Sequence, residues 1–288
     1  QSDLKKALKD IDIIFHFAAY QDYMPNFSKF FDVNATGTAL LYEVLVEKNL
    51  KPHVIIASSQ AVYGEGKYEC YQCKKIFQIN ARTLKDLNRC YWNHLCLFCQ
   101  NGARPRQSDE NGIMPLNMYA VSKATQEMIG YRLGNQYDIP TTILRYSIVQ
   151  GPRQSFYNFY SGLCRIACVN AIKGKTTTIY EDGKQLRDYV NIEDVVDANI
   201  LVMNNKKTFG QIYNVGGGKA YTVLEFMKIV EKVFGKKIKY TIPGKFRIGD
   251  VRHAISDITK LNKLGWYPKH SPEKSVTDYF NWLYSLDN

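Results

Sequence analysis

The stretch HVIIAS at residues 53–58 decides the fold of this chain, because it is a short, continuous apolar run that ends in serine. A run of this kind is typical of a strand that is buried on both faces of a parallel sheet. Two further runs have the same character, IDIIFHFA at residues 11–18 and TTILRYSIV at residues 141–149. We therefore expect three buried strands in one sheet.

Helical patterns lie between these runs and complete the fold prediction. Residues 34–48 carry a broad apolar side, made by Ala39, Leu40, Tyr42, Val44, Leu45 and Val46. Residues 119–135 form a second pattern at helical spacing, made by Ala120, Ala124, Met128 and Tyr131. Strands that alternate with helices pair in parallel, so we expect an α/β fold with a Rossmann-like, doubly wound parallel sheet.

The rest of the chain divides into two further parts. Residues 66–106 are polar, rich in cysteine and without a long apolar run, which indicates an insertion. From residue 156 the elements are shorter and mixed, with helices expected at 161–172, 193–203, 223–234 and 272–286. We predict a Rossmann-like domain over residues 1–155, interrupted by the insertion, and a smaller α+β domain over residues 156–288.

Composition and charge exclude several classes of protein. Of the 288 residues, 45% are apolar and 23% are charged, which excludes a disordered or fibrous chain. The sequence has neither a long apolar run nor a signal peptide at its start, so we expect no membrane span and a cytoplasmic location. The net charge of +11 is spread along the chain, which points weakly to anionic ligands and away from nucleic acid.

Tyr119 and Lys123, in the sequence YAVSK, are the first candidates for catalysis. They lie four residues apart on a predicted helix, so both side chains emerge from one face. A tyrosine with an ordinary pKa of about 10 is a poor base, and a nearby ammonium lowers that pKa by favouring the phenolate. Only Tyr119 begins an amphipathic helix after a buried strand. Three other pairs share the spacing: Tyr63/Lys67, Tyr71/Lys75 and Tyr180/Lys184.

Polar residues near the predicted strands are the next candidates. Ser58 and Ser59 close a buried strand, at the carboxyl edge where open α/β sheets bind ligands, although a simple strand-end turn has the same pattern. Asn34 begins a predicted helix, a position that is more often a helix cap than a catalytic residue. We interpret His16, inside a predicted strand, as a core residue with no acid–base role.

Several motifs taken together resemble one family. DIIFHFAA, DVNATGT, ASSQAVYG and YAVSK occur in this order, followed by LRY, GPRQ, DGKQLRDYV, NVGGG and RIGDVR. This ordered set resembles the extended short-chain dehydrogenase/reductases, and within them the NAD-dependent nucleotide-sugar epimerases and dehydratases. The resemblance covers nearly the whole chain apart from the insertion. It implies an enzyme with NAD as cofactor, a nucleotide-diphosphate sugar as substrate and a homodimeric assembly.

The resemblance also implies roles for single residues. Tyr119 would be the catalytic base, Lys123 would bind the nicotinamide ribose, and Ser59 would hydrogen-bond the reacting sugar hydroxyl. Arg187 and Arg252 would grip the substrate diphosphate, which suits planar guanidinium groups. Further cofactor contacts would come from Ala18, Ala19, Asn34 and Ser58. Residues 156–288 would then mainly bind the nucleotide sugar.

Two features depart from the family pattern. The glycine-rich dinucleotide fingerprint that opens this fold is missing from the sequence. The family has already completed its first strand and its phosphate-binding helix where this sequence begins, so we expect the chain as given to bind NAD poorly. Ser147 and Ile148 stand where the family has an asparagine, which leaves the substrate contacts open there.

The residues after Ser59 discriminate between reactions. Family dehydratases carry an Asp-Glu pair there and related decarboxylases keep a glutamate, whereas this chain has Gln60 and Ala61. Neither residue donates or accepts a proton near neutral pH, so we predict epimerisation at carbon 4 through a transient 4-keto sugar. A dehydratase or reductase of the same fold is a second hypothesis. A catalytically silent nucleotide-sugar-binding or interaction protein, favoured by the missing fingerprint, is a third.

The insertion holds a metal-binding pattern. Cys70 and Cys73 form one C-x-x-C pair, and Cys96 and Cys99 form a second pair, with twenty-two residues between the two pairs. This spacing is close to that of a four-cysteine zinc ribbon, so we predict a structural zinc ion. Similar cysteine-bearing inserts occur in a subgroup of the resembled family that includes dTDP-L-rhamnose 4-epimerase-like proteins.

Other residues qualify the zinc prediction. A glycine usually follows the second cysteine of each pair, and Lys74 and Gln100 depart from this pattern. Cys90 and His94 are spare candidates as ligands. The remaining two cysteines lie four residues apart on a predicted helix and are expected to be core thiols: Cys164 and Cys168.

Overall fold

The computed structural model describes residues 2–22, 24–155 and 162–286. Its strands are β1 (Ile13–His16), β2 (His53–Ser59), β3 (Lys67–Cys70), β4 (Ile76–Gln78), β5 (Ala103–Arg106), β6 (Thr141–Tyr146), β7 (Ile148–Gln150), β8 (Thr177–Thr178), β9 (Leu186–Asn191), β10 (Gln211–Val215), β11 (Ala220–Thr222) and β12 (Tyr240–Thr241). Its α-helices are α1 (Ser2–Ala7), α2 (Phe27–Phe30), α3 (Gly37–Glu47), α4 (Leu84–Asn88), α5 (Met118–Gln136), α6 (Leu163–Ile172), α7 (Ile192–Met203), α8 (Val223–Phe234), α9 (Thr259–Asn262) and α10 (Pro272–Ser285).

A four-stranded parallel sheet in the order β1-β2-β6-β10 forms the centre of the fold. Leu41 and Leu45 of α3 pack against Ile56 of β2 and Ile143 of β6. Parallel strands joined through covering helices are the predicted arrangement, so the α/β, Rossmann-like fold is confirmed. The fourth strand comes from residues 211–215, beyond the predicted domain boundary, and the division at residue 155 stays a prediction.

Two of the three predicted strands differ from expectation. The first run was expected to be buried on both faces, and this is wrong, because Phe15 and Phe17 are exposed and β1 lies at the edge of the sheet. An apolar run indicates that a strand can be buried, but not that other segments cover it. A strand at the edge of a sheet has a neighbouring strand on one side only. The third run is not one strand: it ends at Tyr146, and β7 then joins a different sheet with β9 and β11.

The predicted helices are present, but their buried faces differ in part. In α5, Ala120 and Ala124 are buried as expected, whereas Met128 and Tyr131 are exposed. The buried side of this helix carries polar residues as well, which find partners inside the protein. The predicted helix at 34–48 begins earlier than expected, because a π-helical segment, Phe31–Thr36, leads directly into α3.

The C-terminal part builds a second core around three helices. Helices α6, α8 and α10 pack together against the three-stranded sheet β11-β9-β7. Cys164 and Cys168 are fully buried in this core, which confirms them as core thiols. The predicted helix at 161–172 is observed as α6, although its predicted first residue, Ser161, lies outside the described residues.

The insertion is a small antiparallel sheet with its own compact centre. Strand β3 lies between β4 and β5, and helix α4 follows β4 along the chain. Buried Tyr68, Cys70, Phe77 and Cys96 form the centre of this sheet. Among the described residues, no helix combines the length and the apolar character needed to cross a bilayer.

Candidate active site

The carboxyl edge of the central sheet brings the predicted site residues together. Ser58 and Ser59 are the last residues of β2, and Ala18 and Ala19 follow β1, which is parallel to β2. Helix α5 begins beside this edge. The side chain of Asn117 accepts a hydrogen bond from the Ala120 N–H at 2.9 Å and caps the start of the helix. Its first turns carry Tyr119 and Lys123.

Lys123 is held inside the protein by two oxygen atoms. Its Nζ donates to the carbonyl oxygen of Ala57 at 2.7 Å and to Oε1 of Gln126 at 2.8 Å. The residue is only 2% exposed. Burial lowers the pKa of Lys123 to about 8, while the nearby Glu127 carboxylate acts in the opposite direction. The ammonium is therefore fixed in place but is easier to deprotonate than an exposed lysine.

Tyr119 is 8% exposed and hydrogen-bonds the side chain of Ser59. Burial raises the pKa of Tyr119 to about 12, and the hydrogen bond with Ser59 opposes this rise. Desolvation of the phenolate dominates in the protein alone, so the lowering of this pKa by Lys123 and a bound cofactor stays a prediction. The Oγ atom of Ser59 also accepts from the N–H of Ala61 at 3.1 Å, which fixes its position.

Ser58 faces away from Tyr119 and into a buried ionic group. Its hydroxyl donates to the Glu127 carboxylate. The same carboxylate accepts from Nε of Arg145 at 2.8 Å and from its Nη2 at 2.7 Å. The two serines at the strand end therefore have different partners. Ser59 hydrogen-bonds Tyr119, whereas Ser58 hydrogen-bonds Glu127 of helix α5.

Asn34 connects the two sides of the site and does not cap a helix. Its Oδ1 accepts from the N–H of Tyr20 at 2.7 Å, and its Nδ2 donates to the Tyr20 carbonyl oxygen at 3.0 Å. The same amide donates to Oγ of Ser122 at 2.9 Å. The π-helical turn that carries Asn34 is a form often found at functional sites. The residue fixes the loop after β1 to the helix that carries Tyr119.

His16 is a buried residue with a side-chain partner, as predicted. Its Nε2 lies 2.7 Å from Oγ1 of Thr38, which also accepts from Nε2 of Gln126 at 2.9 Å. Burial, and then the positive charge of Lys123, lower the pKa of His16 to about 4. The imidazole is therefore neutral at physiological pH.

The two arginines expected at the diphosphate are engaged within the protein. Arg252 is 1% exposed, and its Nη1 donates to Oε2 of Glu181 at 2.8 Å. Its Nη1 and Nη2 donate to the two carboxylate oxygens of Asp182 at 2.7 and 2.9 Å. Arg187 donates to the carbonyl oxygens of Arg252 at 3.0 Å and Val251 at 2.9 Å. Contact of Arg252 with a phosphate therefore requires Asp182 to give way, and both roles stay predictions.

The four predicted cysteine ligands converge in the insertion. The Sγ atoms of Cys70, Cys73, Cys96 and Cys99 all lie within 4.8 Å of one another. Backbone N–H groups point at two of them: Gln72 donates to Sγ of Cys70 at 3.3 Å, and Phe98 donates to Sγ of Cys96 at 3.4 Å. Four thiols at this distance fit the donor set of a tetrahedral zinc ion.

The structure shows how the cluster forms without the usual glycines and where the spare ligand candidates lie. Lys74 and Gln100 have positive φ values of 58° and 59°, so the two knuckles adopt the left-handed turn that glycine usually provides. Each non-glycine residue in this conformation costs about 1 kcal/mol. The spare candidates stay outside the cluster, because Cys90 is exposed and Nε2 of His94 lies 3.2 Å from Oε2 of Glu65.

Sequence reasoning missed the polar residues that support Lys123 and Ser58 from behind. Gln126 and Glu127 lie within the predicted helix, and Arg145 lies within a predicted apolar strand. All three are buried. A charged residue inside an apolar strand needs a buried partner, so Arg145 in the sequence already indicated a buried acidic residue nearby.

Known proteins resemble this chain along most of its length. The model of the NAD dependent epimerase/dehydratase family matches residues 1–81 and 96–216, and the gap between these segments lies inside the insertion. The dTDP-L-rhamnose 4-epimerase of Burkholderia thailandensis is 30% identical over 277 residues, which cover 94% of this chain and 75% of that protein.

Solved structures of similar proteins share the fold. The UDP-glucose 4-epimerase of Thermotoga maritima, solved with UDP-glucose, superposes with a TM-score of 0.78 at 26% identity, covering 100% of this chain and 82% of the other. MoeE5, solved with UDP-glucose and NAD, superposes with a TM-score of 0.77 at 25% identity, covering 99% of this chain and 83% of the other.

Proposed function

Because the chain belongs to the NAD-dependent epimerase/dehydratase family, we propose that it inverts carbon 4 of a nucleotide-diphosphate sugar through a transient 4-keto intermediate. The hydrogen bond between Tyr119 and Ser59, with the buried ammonium of Lys123 held one turn further along the same helix, is the observation that carries this proposal. A phenol, a hydroxyl and an ammonium at one sheet edge form a set suited to moving the proton of a sugar hydroxyl.

Each of these residues has a proposed task. Tyr119 takes the proton from the 4-hydroxyl and later returns it, and Ser59 hydrogen-bonds the same hydroxyl. With a pKa of about 12, the Tyr119 phenol is protonated at neutral pH, so it becomes a base only when positive charge nearby stabilises the phenolate. Lys123, fixed one turn away, and the cationic nicotinamide ring of bound NAD would together supply such a charge.

NAD is the proposed cofactor, and the residues at the sheet edge fit its nicotinamide-ribose end. Lys123 and Tyr119 offer an ammonium and a phenol from one helix face, which suits the adjacent hydroxyls of a ribose. NAD, when bound, accepts and returns the hydride of carbon 4. We propose that its site is lined by Ala18, Ala19, Tyr119 and Lys123, and that the buried Asn34 and Ser58 hold the segments around it in place.

Epimerisation is proposed over dehydration because of the residues that follow Ser59. Gln60 and Ala61 begin the 3-10 turn Gln60–Tyr63 directly after β2, next to Tyr119 and Ser59. An amide and a methyl group provide neither the extra acid nor the extra base that loss of water requires.

We also propose a structural zinc ion and a homodimer. The four clustered thiols support a zinc ion bound by Cys70, Cys73, Cys96 and Cys99. The first cysteine of each pair also accepts a hydrogen bond from a backbone N–H group. Reduced thiolates of this kind fit the cytoplasm. Exposed Met128 and Tyr131 on helix α5 support association of two copies through this helix.

The proposed reaction is tested by incubating the full chain with nucleotide sugars and a large excess of NAD, because the chain as given is expected to bind NAD poorly, and by following the sugars with proton NMR. We expect the signal of the carbon 4 epimer to appear, with no net reduction of NAD. The panel comprises UDP-glucose and dTDP-L-rhamnose. In a parallel incubation with NADPH, net consumption of NADPH would identify a reductase, and loss of water would identify a dehydratase. No change in either sugar, with no bound nucleotide, would contradict the proposal.

A further inference from the structure

The cysteine insertion, residues 66–106, meets the rest of the protein in a buried ionic network centred on Arg82. Nε of Arg82 donates to Oε1 of Glu65 at 3.3 Å, and its Nη1 lies 2.9 Å from Oε2 of Glu181. Its Nη2 donates to the carbonyl oxygen of Asp250 at 2.8 Å. The side chain of Arg82 is 3% exposed. One arginine of the insertion therefore joins three separate segments of the chain.

The same two carboxylates hold Arg252. Oε2 of Glu181 accepts from Nη1 of Arg252 at 2.8 Å, and Oε2 of Glu65 accepts from the backbone N–H of Arg252 at 2.7 Å. The insertion also contacts this arginine directly, because Oδ1 of Asn93 accepts from its Nε at 3.0 Å. The Arg252 guanidinium is thus fixed directly by Asn93 of the insertion and indirectly through Glu181, which Arg82 also binds. Glu65 holds the backbone of Arg252.

The remaining edge of the guanidinium faces Asp182. This carboxylate is bound in the bidentate manner described above, and it is 27% exposed, whereas Arg252 is almost fully buried. The Asp182 edge is therefore the one nearest to solvent. A phosphate binds a guanidinium in the same bidentate geometry as a carboxylate, so it can take this position when Asp182 moves.

We propose that Arg82 and Asn93 are positioning residues for the substrate diphosphate. They fix the Arg252 guanidinium so that its Asp182 edge is presented to a phosphate. The insertion then contributes to nucleotide-sugar binding without touching the reacting carbon. This inference rests on the proposed function, because it takes the substrate to be a nucleotide-diphosphate sugar.

The test uses the full chain and the nucleoside diphosphates UDP, dTDP, GDP and CDP, titrated by calorimetry. The variants are Asn93→Leu, which removes the acceptor with little change in size, and Arg82→Gln, which removes the shared charge. The control is Arg104→Gln in the same insertion, whose Nη2 pairs with Glu69 at the surface and contacts none of the network. Hydrogen exchange of residues 250–256 and of helix α5 is measured in parallel.

We expect Asn93→Leu and Arg82→Gln to bind the preferred diphosphate about tenfold more weakly, as for loss of a hydrogen bond to a charged group. Amides 250–256 should exchange faster, while those of α5 and the value of kcat stay unchanged, because Tyr119, Ser59 and Lys123 lie outside the network. Arg104→Gln should match the wild type. If Arg82→Gln does not fold, Asn93→Leu alone decides.

Three results would overturn the positioning proposal, and they differ in whether the proposed function is also contradicted. Wild-type affinity in Asn93→Leu, with a normal diphosphate affinity in the wild type, removes the positioning role and leaves the proposed function intact. Failure of the wild type to bind any of the four diphosphates removes both. A fall in kcat equal to the fall in affinity would indicate general damage to the fold and would also count against positioning.

Discussion

Glu127 and Arg145 form a buried, two-point ion pair directly behind the candidate site, with hydrogen bonds of 2.8 and 2.7 Å. Glu127 lies one turn after Lys123 on α5, and Arg145 lies on β6. The carboxylate also accepts from the Ser58 hydroxyl at the end of β2. The pair therefore holds helix α5 against two strands of the central sheet.

We predict that Glu127→Gln destabilises the protein by about 3–5 kcal/mol, because the buried Arg145 charge loses its partner. The free energy of unfolding in urea checks this value. Asp278→Asn is the matched control, since it breaks a pair with Lys274 on the surface of α10 and should cost no more than about 0.5 kcal/mol. An equal loss of unfolding free energy in the two variants would show that the buried pair stabilises the protein no more than the surface pair does.

Tyr119→Phe should abolish most of the turnover, because it removes only the hydroxyl that moves the proton. We expect kcat to fall by a factor of about 10³ or more, with nucleotide-sugar affinity within a few fold of the wild type. Steady-state kinetics and calorimetric titration separate the two effects. Tyr137→Phe, exposed at the C-terminal end of the same helix, is the control and should keep full activity. A near-normal rate in Tyr119→Phe would remove this residue from the mechanism.

The central sheet could be predicted because its signal is local. HVIIAS is apolar from Val54 to Ala57 and lies in the sheet interior, where a strand with that pattern is covered on both faces. The same rule failed for β1, because exposure of Phe15 and Phe17 depends on what covers a strand and not on the strand itself. Periodicity failed for Met128 in a similar way.

The spacing of catalytic residues could be predicted, but their electrostatics could not. Tyr119 and Lys123 share a helix face by geometry alone. The pKa of Tyr119 depends on burial by distant segments, which the motif does not contain. The pairing of Arg252 with Asp182 joins residues seventy positions apart, and no local pattern reports such a contact.

The cysteine cluster should hold one zinc ion per chain. We expect elemental analysis of protein purified in reducing buffer to find about one zinc, and Cys73→Ser to lose it together with the fold of the insertion. Cys90→Ser is the control, because this exposed thiol lies outside the cluster and its loss should leave the metal content unchanged. Full zinc content in Cys73→Ser, or none in the wild type, would refute the site.

Asp182→Asn should bind nucleoside diphosphates more tightly than the wild type, by about tenfold. The carboxylate competes with phosphate for the outer edge of Arg252, and the amide is a weaker competitor. The variant keeps an acceptor oxygen for the Lys184 N–H, so the turn that carries it is preserved. Calorimetric titration with UDP and dTDP measures the change. Weaker binding would mean that Asp182 supports the site and does not cover it.

Asp188 should make stability depend on pH. Burial raises the pKa of this carboxyl to about 6, although it accepts hydrogen bonds from Ser147 and from the Gly217 N–H. A raised pKa in the folded state means that the contribution is complete below the unfolded pKa of about 4 and is lost as pH rises through 6. The loss is on the order of 3 kcal/mol, from a shift of about two units.

Urea unfolding of the wild type and of Asp188→Asn between pH 4 and pH 7.5 isolates this contribution, since all other groups titrate in both proteins. We expect the stability of the wild type relative to the variant to fall by about 3 kcal/mol over this range, because only the wild type must bury a carboxylate there. Asp197→Asn, at a surface pair with Lys269, should show no such trend. A constant difference between wild type and Asp188→Asn would mean that the Ser147 and Gly217 hydrogen bonds keep the carboxylate ionised throughout, and that burial does not control its proton.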